Sequence, residues 1–288
     1  GKLKKQSDYY NRDRRNFGDF LRDVREKGFA NTVAERRAWG SMRMSATDLA
    51  DVSGHTYTHL MNGVTPSGNW TGLFKPGERV RLRVINGSAM TYFDVRIPGL
   101  KMTVVAADGQ HVHPVTVDEF RIACAETFDV IVEPRGQDAF TIFAQAMDRT
   151  AHASGTLAVR DGLQAPVPAL DARPLLTMAD MGHGGHDMAA MAKTTPAAVD
   201  PHAGHNLPAA PPPPADPHAG HDMSGAAATL SHPVTERGNP LVDMQALTPS
   251  TRLDDPGIGL RDNGRRVLTY ADLRSPFADP DGRDPGRT

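Results

Sequence analysis

The sequence predicts an all-β domain, a sandwich or barrel, preceded by short helices and followed by a long disordered linker. Three observations carry that expectation. Between residues 51 and 162, apolar and polar residues alternate in short runs separated by turn dipeptides. Ahead of these runs, a charged stretch repeats its apolar residues at helical spacing. Behind them, from about Leu163 to Gly238, Pro, Gly and Ala accumulate and Phe, Tyr and Trp are absent, which leaves too little apolar surface to offset the entropy of ordering the backbone.

The helical part, residues 1–50, places Phe17, Phe20, Leu21 and Val24 on one face. Gly28 and Asn31-Thr32 are expected to interrupt it, with a second short helix from Val33 to Trp39. The stretch reads as a connector packed on a neighbouring domain. In the β domain, residues 51–162, a first strand is expected around His55 to His59. Arg79 to Ile85 alternates so that Val80, Leu82 and Val84 face inward and three arginines outward. Phe93, Val95 and Ile97 alternate with Asp94 and Arg96. Thr127–Val132, Phe140–Gln145 and Gly155–Val159 supply further strands, and Asn62-Gly63, Pro76-Gly77, Asn86-Gly87, Pro98-Gly99 and Asp108-Gly109 supply reversals. The linker covers residues 163–245. The last segment, 246–288, is polar and turn-rich, with Val267 to Tyr270 as its one plausible strand.

Composition excludes several classes. A net charge of -2 gives no electrostatic case for nucleic acid or an anionic membrane. No apolar run approaches the roughly 20 residues of a spanning helix. Cys124 is the only cysteine, so there is no intramolecular disulfide and no thiolate zinc cluster. The chain starts at Gly1 and ends in Asp284-Pro-Gly-Arg-Thr288, which reads as an internal piece of a longer protein.

The linker carries the clearest chemical signal. Three cassettes, His183-Gly-Gly-His186-Asp-Met188, His202-Ala-Gly-His205-Asn-Leu207 and His218-Ala-Gly-His221-Asp-Met223, hold half of the 12 histidines. Met178, Met181 and Met191 lie nearby. Imidazole suits Cu(II), Zn(II) and Ni(II), and thioether sulfur favours Cu(I), so a segment offering both and no thiolate points to copper in more than one redox state. Candidate metal ligands are therefore the six cassette histidines with Met178, Met181, Met188, Met191 and Met223. His111-Val-His113 reads as the exposed start of a strand, and His55 and His59 as structural or surface residues. Cys124 reads as a small buried apolar residue, since no histidine neighbours it as a blue-copper centre would need. No activated Ser or Cys nucleophile is recognisable, and no catalytic residue is assigned.

Longer strings resemble a known family. Leu60-Met-Asn-Gly-Val-Thr-Pro-Ser-Gly-Asn-Trp-Thr-Gly-Leu-Phe74, Met90-Thr-Tyr-Phe-Asp-Val-Arg-Ile-Pro-Gly99, Glu126-Thr-Phe-Asp-Val-Ile-Val-Glu-Pro134 and Arg252-Leu-Asp-Asp-Pro-Gly-Ile-Gly-Leu-Arg-Asp-Asn-Gly264 resemble the CopA-type copper-resistance multicopper oxidases. The resemblance implies a cupredoxin-like Greek-key β-sandwich, the middle of three such domains, with 246–288 leading into the third. It implies a periplasmic enzyme that oxidises Cu(I) or phenolic substrates and reduces dioxygen to water. Its catalytic coppers are held by paired-His and His-Cys-His motifs of the first and third domains, and those motifs are not in this sequence. The partners implied are copper ions and those two missing domains, and the cassettes fall where the family places Met- and His-rich repeats. The alternative is a standalone periplasmic copper-binding or storage protein without oxidase activity. A third reading is a structural sandwich with an inert spacer.

Overall fold

A computed structural model describes residues 14–50, 52–181, 233–236, 239, 241, 242 and 252–278. The described residues fall into two compact units. One is drawn chiefly from Ala46–Leu176 and Thr251–Thr288, the other from Arg15–Ser45 and Thr177–Ser250.

In the second unit, helix α1 spans Phe17–Lys27 and α2 spans Phe29–Ser41. Asn16 caps α1 by accepting from the Asp19 amide at 3.1 Å, while the Asp19 carboxylate accepts from the Asn16 amide at 2.8 Å. This reciprocal box satisfies two otherwise orphaned donors. Gly28, with φ of 83° and ψ of 158°, takes an extended positive-φ conformation, open to glycine because it has no Cβ, that ends α1 and starts α2. Asn31 and Thr32 do not interrupt the second helix, contrary to the sequence expectation. The Asn31 amide donates to the Lys27 carbonyl and the Thr32 hydroxyl to the Gly28 carbonyl, so each returns its polar group to the preceding turn. Phe17 and Leu21 of the predicted apolar face are exposed.

The first unit is a sandwich of two sheets, not a closed barrel. Its nine strands are β1 (Trp70–Leu73), β2 (Val80–Ile85), β3 (Phe93–Arg96), β4 (Met102–Ala107), β5 (Gln110–Val117), β6 (Glu119–Ile122), β7 (Thr127–Val132), β8 (Ala139–Ala146) and β9 (His152–Ala158). One sheet has the order β1-β9-β8-β3-β6 and the other β2-β7-β4-β5. All pairs are antiparallel except β1 with β9. Pro114 sits on β5, an edge strand, where a missing N–H costs least. Two expected strands are absent. Residues 53–60 form a turn and extended chain, with the Thr56 and Tyr57 amides both donating to the Ser53 carbonyl. Val267 makes a single parallel bridge to Glu119, and Tyr270–Asp272 close a short 3-10 turn capped by Thr269.

The core lies between the sheets. Val95, Phe120 and Ile142 meet Met102, Val104, Phe128 and Val130, all buried. The Phe120 and Phe128 rings stand edge to face at 5.2 Å, a geometry worth about 1 kcal/mol beyond area burial.

The opposite face of the five-stranded sheet is also buried, by ions. Asp94 on β3 is 0 % exposed. It accepts from Arg121 Nε at 2.7 Å and Nη2 at 3.0 Å and pairs with Arg149 at 2.6 Å. Glu119 on β6, also 0 % exposed, accepts from Arg96 Nη1 at 3.1 Å, Arg265 Nε at 2.7 Å and Asn263 Nδ2 at 2.9 Å. Asp171 accepts from Gln145 at 2.7 Å and from Arg265. Segments 165–176 and 252–274 are thus fastened over the sheet, and Arg96 stacks on the Phe143 ring at 4.7 Å.

Candidate functional site

Nine of the eleven sequence-predicted metal ligands (the six cassette histidines with Met188, Met191 and Met223) lie outside the described residues. Met178 and Met181 are described, both half-buried. They sit on a turn opened by Thr177, whose amide donates to the Asp180 carboxylate at 2.8 Å, and the Met181 amide donates to the Met178 carbonyl at 3.2 Å. The two thioethers stand three residues apart in sequence on this turn.

The other candidates are held apart. His111 and His113 are exposed on β5, with the His113 amide bonded to the Arg274 carbonyl at 2.9 Å and the His111 ring near Phe277 at 6.5 Å. Cys124 is half-buried, not fully buried as expected, because it sits on the turn between β6 and β7. Its Sγ lies 3.9 Å from Ser88 Oγ and 3.8 Å from the Thr91 carbonyl, and it belongs to no group of metal-binding side chains among the described residues, whereas a mononuclear copper–thiolate centre needs two histidines beside the thiolate. Among the described residues no three His, Cys, Asp or Glu side chains converge. The described donor set therefore does not fit a catalytic copper.

Sequence reasoning missed a cavity of about 650 Å³ between β2 and the five-stranded sheet. The alternation on β2 is as expected, yet Val80, Leu82 and Val84 are only half-buried, whereas their neighbours Phe128, Val130 and Val132 on β7 are 3 % exposed or less. Phe93, Val95, Ile142 and Ala144 form the floor, and Trp70 and His59 stand at its sides. His59 is buried with its ring edge-on to Phe93 at 5.0 Å, and its Nε2 has no hydrogen-bond partner. Burial lowers its pKa, against the pull of Asp148 and with the push of His152. On the outer face of β2, away from the cavity, Arg81 and Arg83 converge on one carboxylate, Asp129 of β7, with Arg83 Nε donating at 2.8 Å and Nη2 at 3.0 Å. These bonds, with Arg83's the strongest, hold the Asp129 pKa down at about 2. The only signal in the sequence was the arginine run itself, which reads as an ordinary solvated strand face.

Comparison with known proteins gives a consistent family. A model described as multicopper oxidase matches residues 31–161. The chain is 63% identical over 302 residues to copper resistance protein A of Escherichia coli, covering 100% of this chain and 50% of that protein. It is also 63% identical over 293 residues to a copper resistance protein A homolog of Pseudomonas syringae pv. tomato, covering 48% of that protein. The chain thus spans about half the length of the curated relatives it matches. A laccase from Botrytis aclada overlaps 37% of the chain with a TM-score of 0.32 and 25% identity, too little to bear on the fold, which rests on the strands described above. Among the described residues no helix is long and apolar enough to cross a membrane. Residues 31–161 thus match the multicopper oxidase family model, and the chain is similar along its whole length to copper resistance protein A.

Proposed function

We propose that this chain is the central part of a periplasmic copper-resistance multicopper oxidase, supplying a middle spacer domain, residues 51–162, and a copper-binding linker, residues 163–245. In this reading the whole protein oxidises Cu(I), or phenolic substrates, with dioxygen as acceptor. Its catalytic coppers supply the electron transfer and are bound by first and third domains that this chain does not include. The observation that carries the proposal is the separation of donors: no three converge among the described residues, while His and Met concentrate together in the cassettes. Met178, Met181, Met188, Met191 and Met223 capture Cu(I), and His183, His186, His202, His205, His218 and His221 hold Cu(II) or share Cu(I).

The sandwich constrains this segment at both ends. Asp171, ahead of the cassettes, contacts Arg265, beyond them, and both bond the network around Glu119. The cassettes are therefore carried on a stretch closed back on one domain, which raises the effective concentration of one donor set for another. A Cu(I) competition titration of the intact chain beside a version lacking residues 178–223 tests the proposal. The intact chain should bind Cu(I) more tightly, Cu(II) binding should weaken as pH falls through the imidazole pKa of about 6.5, and neither chain should consume oxygen. Equal Cu(I) affinities would remove the linker from the mechanism, and oxygen consumption by the chain alone would overturn the spacer assignment.

A further inference from the structure

Four of the chain's 12 methionines fall on two short runs, Ser41-Met-Arg-Met-Ser45 and Thr177-Met-Ala-Asp-Met181. Neither run holds a Leu, Ile, Val, Phe, Tyr or Trp, so every large apolar side chain in them is a thioether. The fold brings the ends of the two runs together. The Leu176 amide donates to the Ala46 carbonyl at 2.8 Å, and Arg173 Nη2 to the Thr47 carbonyl at 3.4 Å. Ser45 and Thr177, next to this pairing, open onto the two runs, and both runs belong to the same compact unit.

Each run is also a turn that gathers its own pair. At the end of α2 the Arg43 amide donates to the Gly40 carbonyl at 3.1 Å and the Met44 amide to the Trp39 carbonyl at 3.2 Å, with Arg43 at a φ of 57°. These are the two bonds of a Schellman motif, which commonly packs its last residue, here Met44, on the residue in the place of Trp39. Met42 follows Trp39 by three residues, on the same helical face. Trp39 and Met42 are buried, whereas Phe17, Leu21, Phe29 and Val33 of the same unit are exposed. The covered end of the hairpin is thus its methionine end. In the second run the Met181 amide bond to the Met178 carbonyl closes a single turn, and Met44, Met178 and Met181 are all half-buried.

We infer that Met42, Met44, Met178 and Met181 form one Cu(I) site, four thioethers beside the Trp39 ring. The inference rests on the Cu(I) reading of the linker and extends it to two residues that precede the sandwich. Thioether sulfur is a soft donor that selects Cu(I), and an indole face attracts a cation. Arg43 and Asp180 give the two runs opposite charges, so donor type rather than net charge selects the ion.

The test is a Cu(I) titration, without oxygen, of the full 288-residue chain labelled with carbon-13 at its methionine methyls. The resonances of Met42, Met44, Met178 and Met181, assigned by single Met→Leu variants, should shift together at one midpoint. In Met42→Leu/Met44→Leu, which conserves volume, the Met178 and Met181 shifts should need about tenfold more Cu(I) or more, since even the loss of an outer partner costs a metal site that much. The step should persist from about pH 7 to about pH 5, where imidazole gains its proton and a thioether has none to gain. Shifts of Met178 and Met181 with Met42 and Met44 unmoved would overturn this site and leave the linker reading standing. Absence of any methionine shift would overturn both. An unchanged midpoint in the double variant, or a step lost at about pH 5, would show that other ligands hold the ion.

Discussion

The two flanks of the sandwich are finished by opposite means. On the flank of β5 and β6, the chain returns after the linker and covers both edges. The Asp118 and Glu119 amides donate to the Arg266 carbonyl, Leu268 to Glu119, and His113 to Arg274. Carboxylates and guanidiniums are buried beneath this cover and paired with one another, with Arg149 Nε left without a partner. On the flank of β1 and β2, no described strand pairs with the outer edge of β2, and the apolar interior opens into the cavity. That edge is guarded by charge, since Arg79, Arg81 and Arg83 alternate along it, the arrangement that discourages strand addition by another chain. Charge is thus inside where the sandwich is closed and outside where it is open. The difference shows that alternation assigns a residue to a face, while a second segment decides whether that face meets water.

The covered flank should be where the molecule is easiest to break. Asp94→Ala removes the one ion-pair partner that Arg149 has among the described residues, its side chain being 1% exposed, and leaves that guanidinium without a counter-charge in the interior. Breaking a buried pair from one side costs about 3–5 kcal/mol. The urea midpoint of the variant should fall accordingly, with the transition still cooperative. A loss below about 1 kcal/mol would mean that Arg149 reaches water and that the flank is less sealed than the contacts indicate.

This flank also shows what the sequence could and could not reveal. Five of the nine strands, β2, β3, β7, β8 and β9, were legible, because runs such as Val80 to Val84 and Phe93 to Ile97 carry period-two signals that local sterics impose, while β1, β4 and β6 were not singled out. Asp94 and Arg96 gave no sign of burial, because their cover comes from Asp171 and from residues 258–265, far away in sequence. A helix start at Phe29 was hidden by Asn31 and Thr32, whose side chains read as breakers until their bonds to Lys27 and Gly28 are seen. The copper donors were legible as chemistry in the cassettes, and their arrangement in space lies outside the described residues. The cavity was not legible at all, since it arises where no described strand pairs with the outer edge of β2.

One substitution made twice, on adjacent strands, sharpens the comparison. Val130 on β7 is 0 % exposed, and Val84 on β2 faces the cavity half-buried. Val130→Ala should cost about 2 kcal/mol, the transfer of two methyl groups plus a void that its neighbours cannot fill. Val84→Ala should cost less than about 1 kcal/mol, because it only enlarges a space already open. Equal urea midpoints for the two variants would indicate that the cavity is closed in solution.

The smallest expected effect concerns His59, and its sign depends on the open flank. Its ring is buried and its pKa is lowered by that burial, so folding favours the neutral form. In the unfolded chain the imidazole takes a proton near its ordinary pKa of about 6.5. A folded pKa below the unfolded one contributes stability that is present above about pH 6.5 and is lost as pH falls below it. His59→Phe keeps the edge-on contact with Phe93 and removes both the titration and the unpartnered Nε2, whose burial is itself a cost. The variant should therefore match or slightly exceed the parent at pH 8, and its urea midpoint should fall less between about pH 6.5 and 5. His152 is shifted in the same direction by burial, so the slope should shrink without vanishing. An unchanged slope would mean that water entering the cavity solvates the imidazolium, and it would make the open flank wetter than its apolar floor implies.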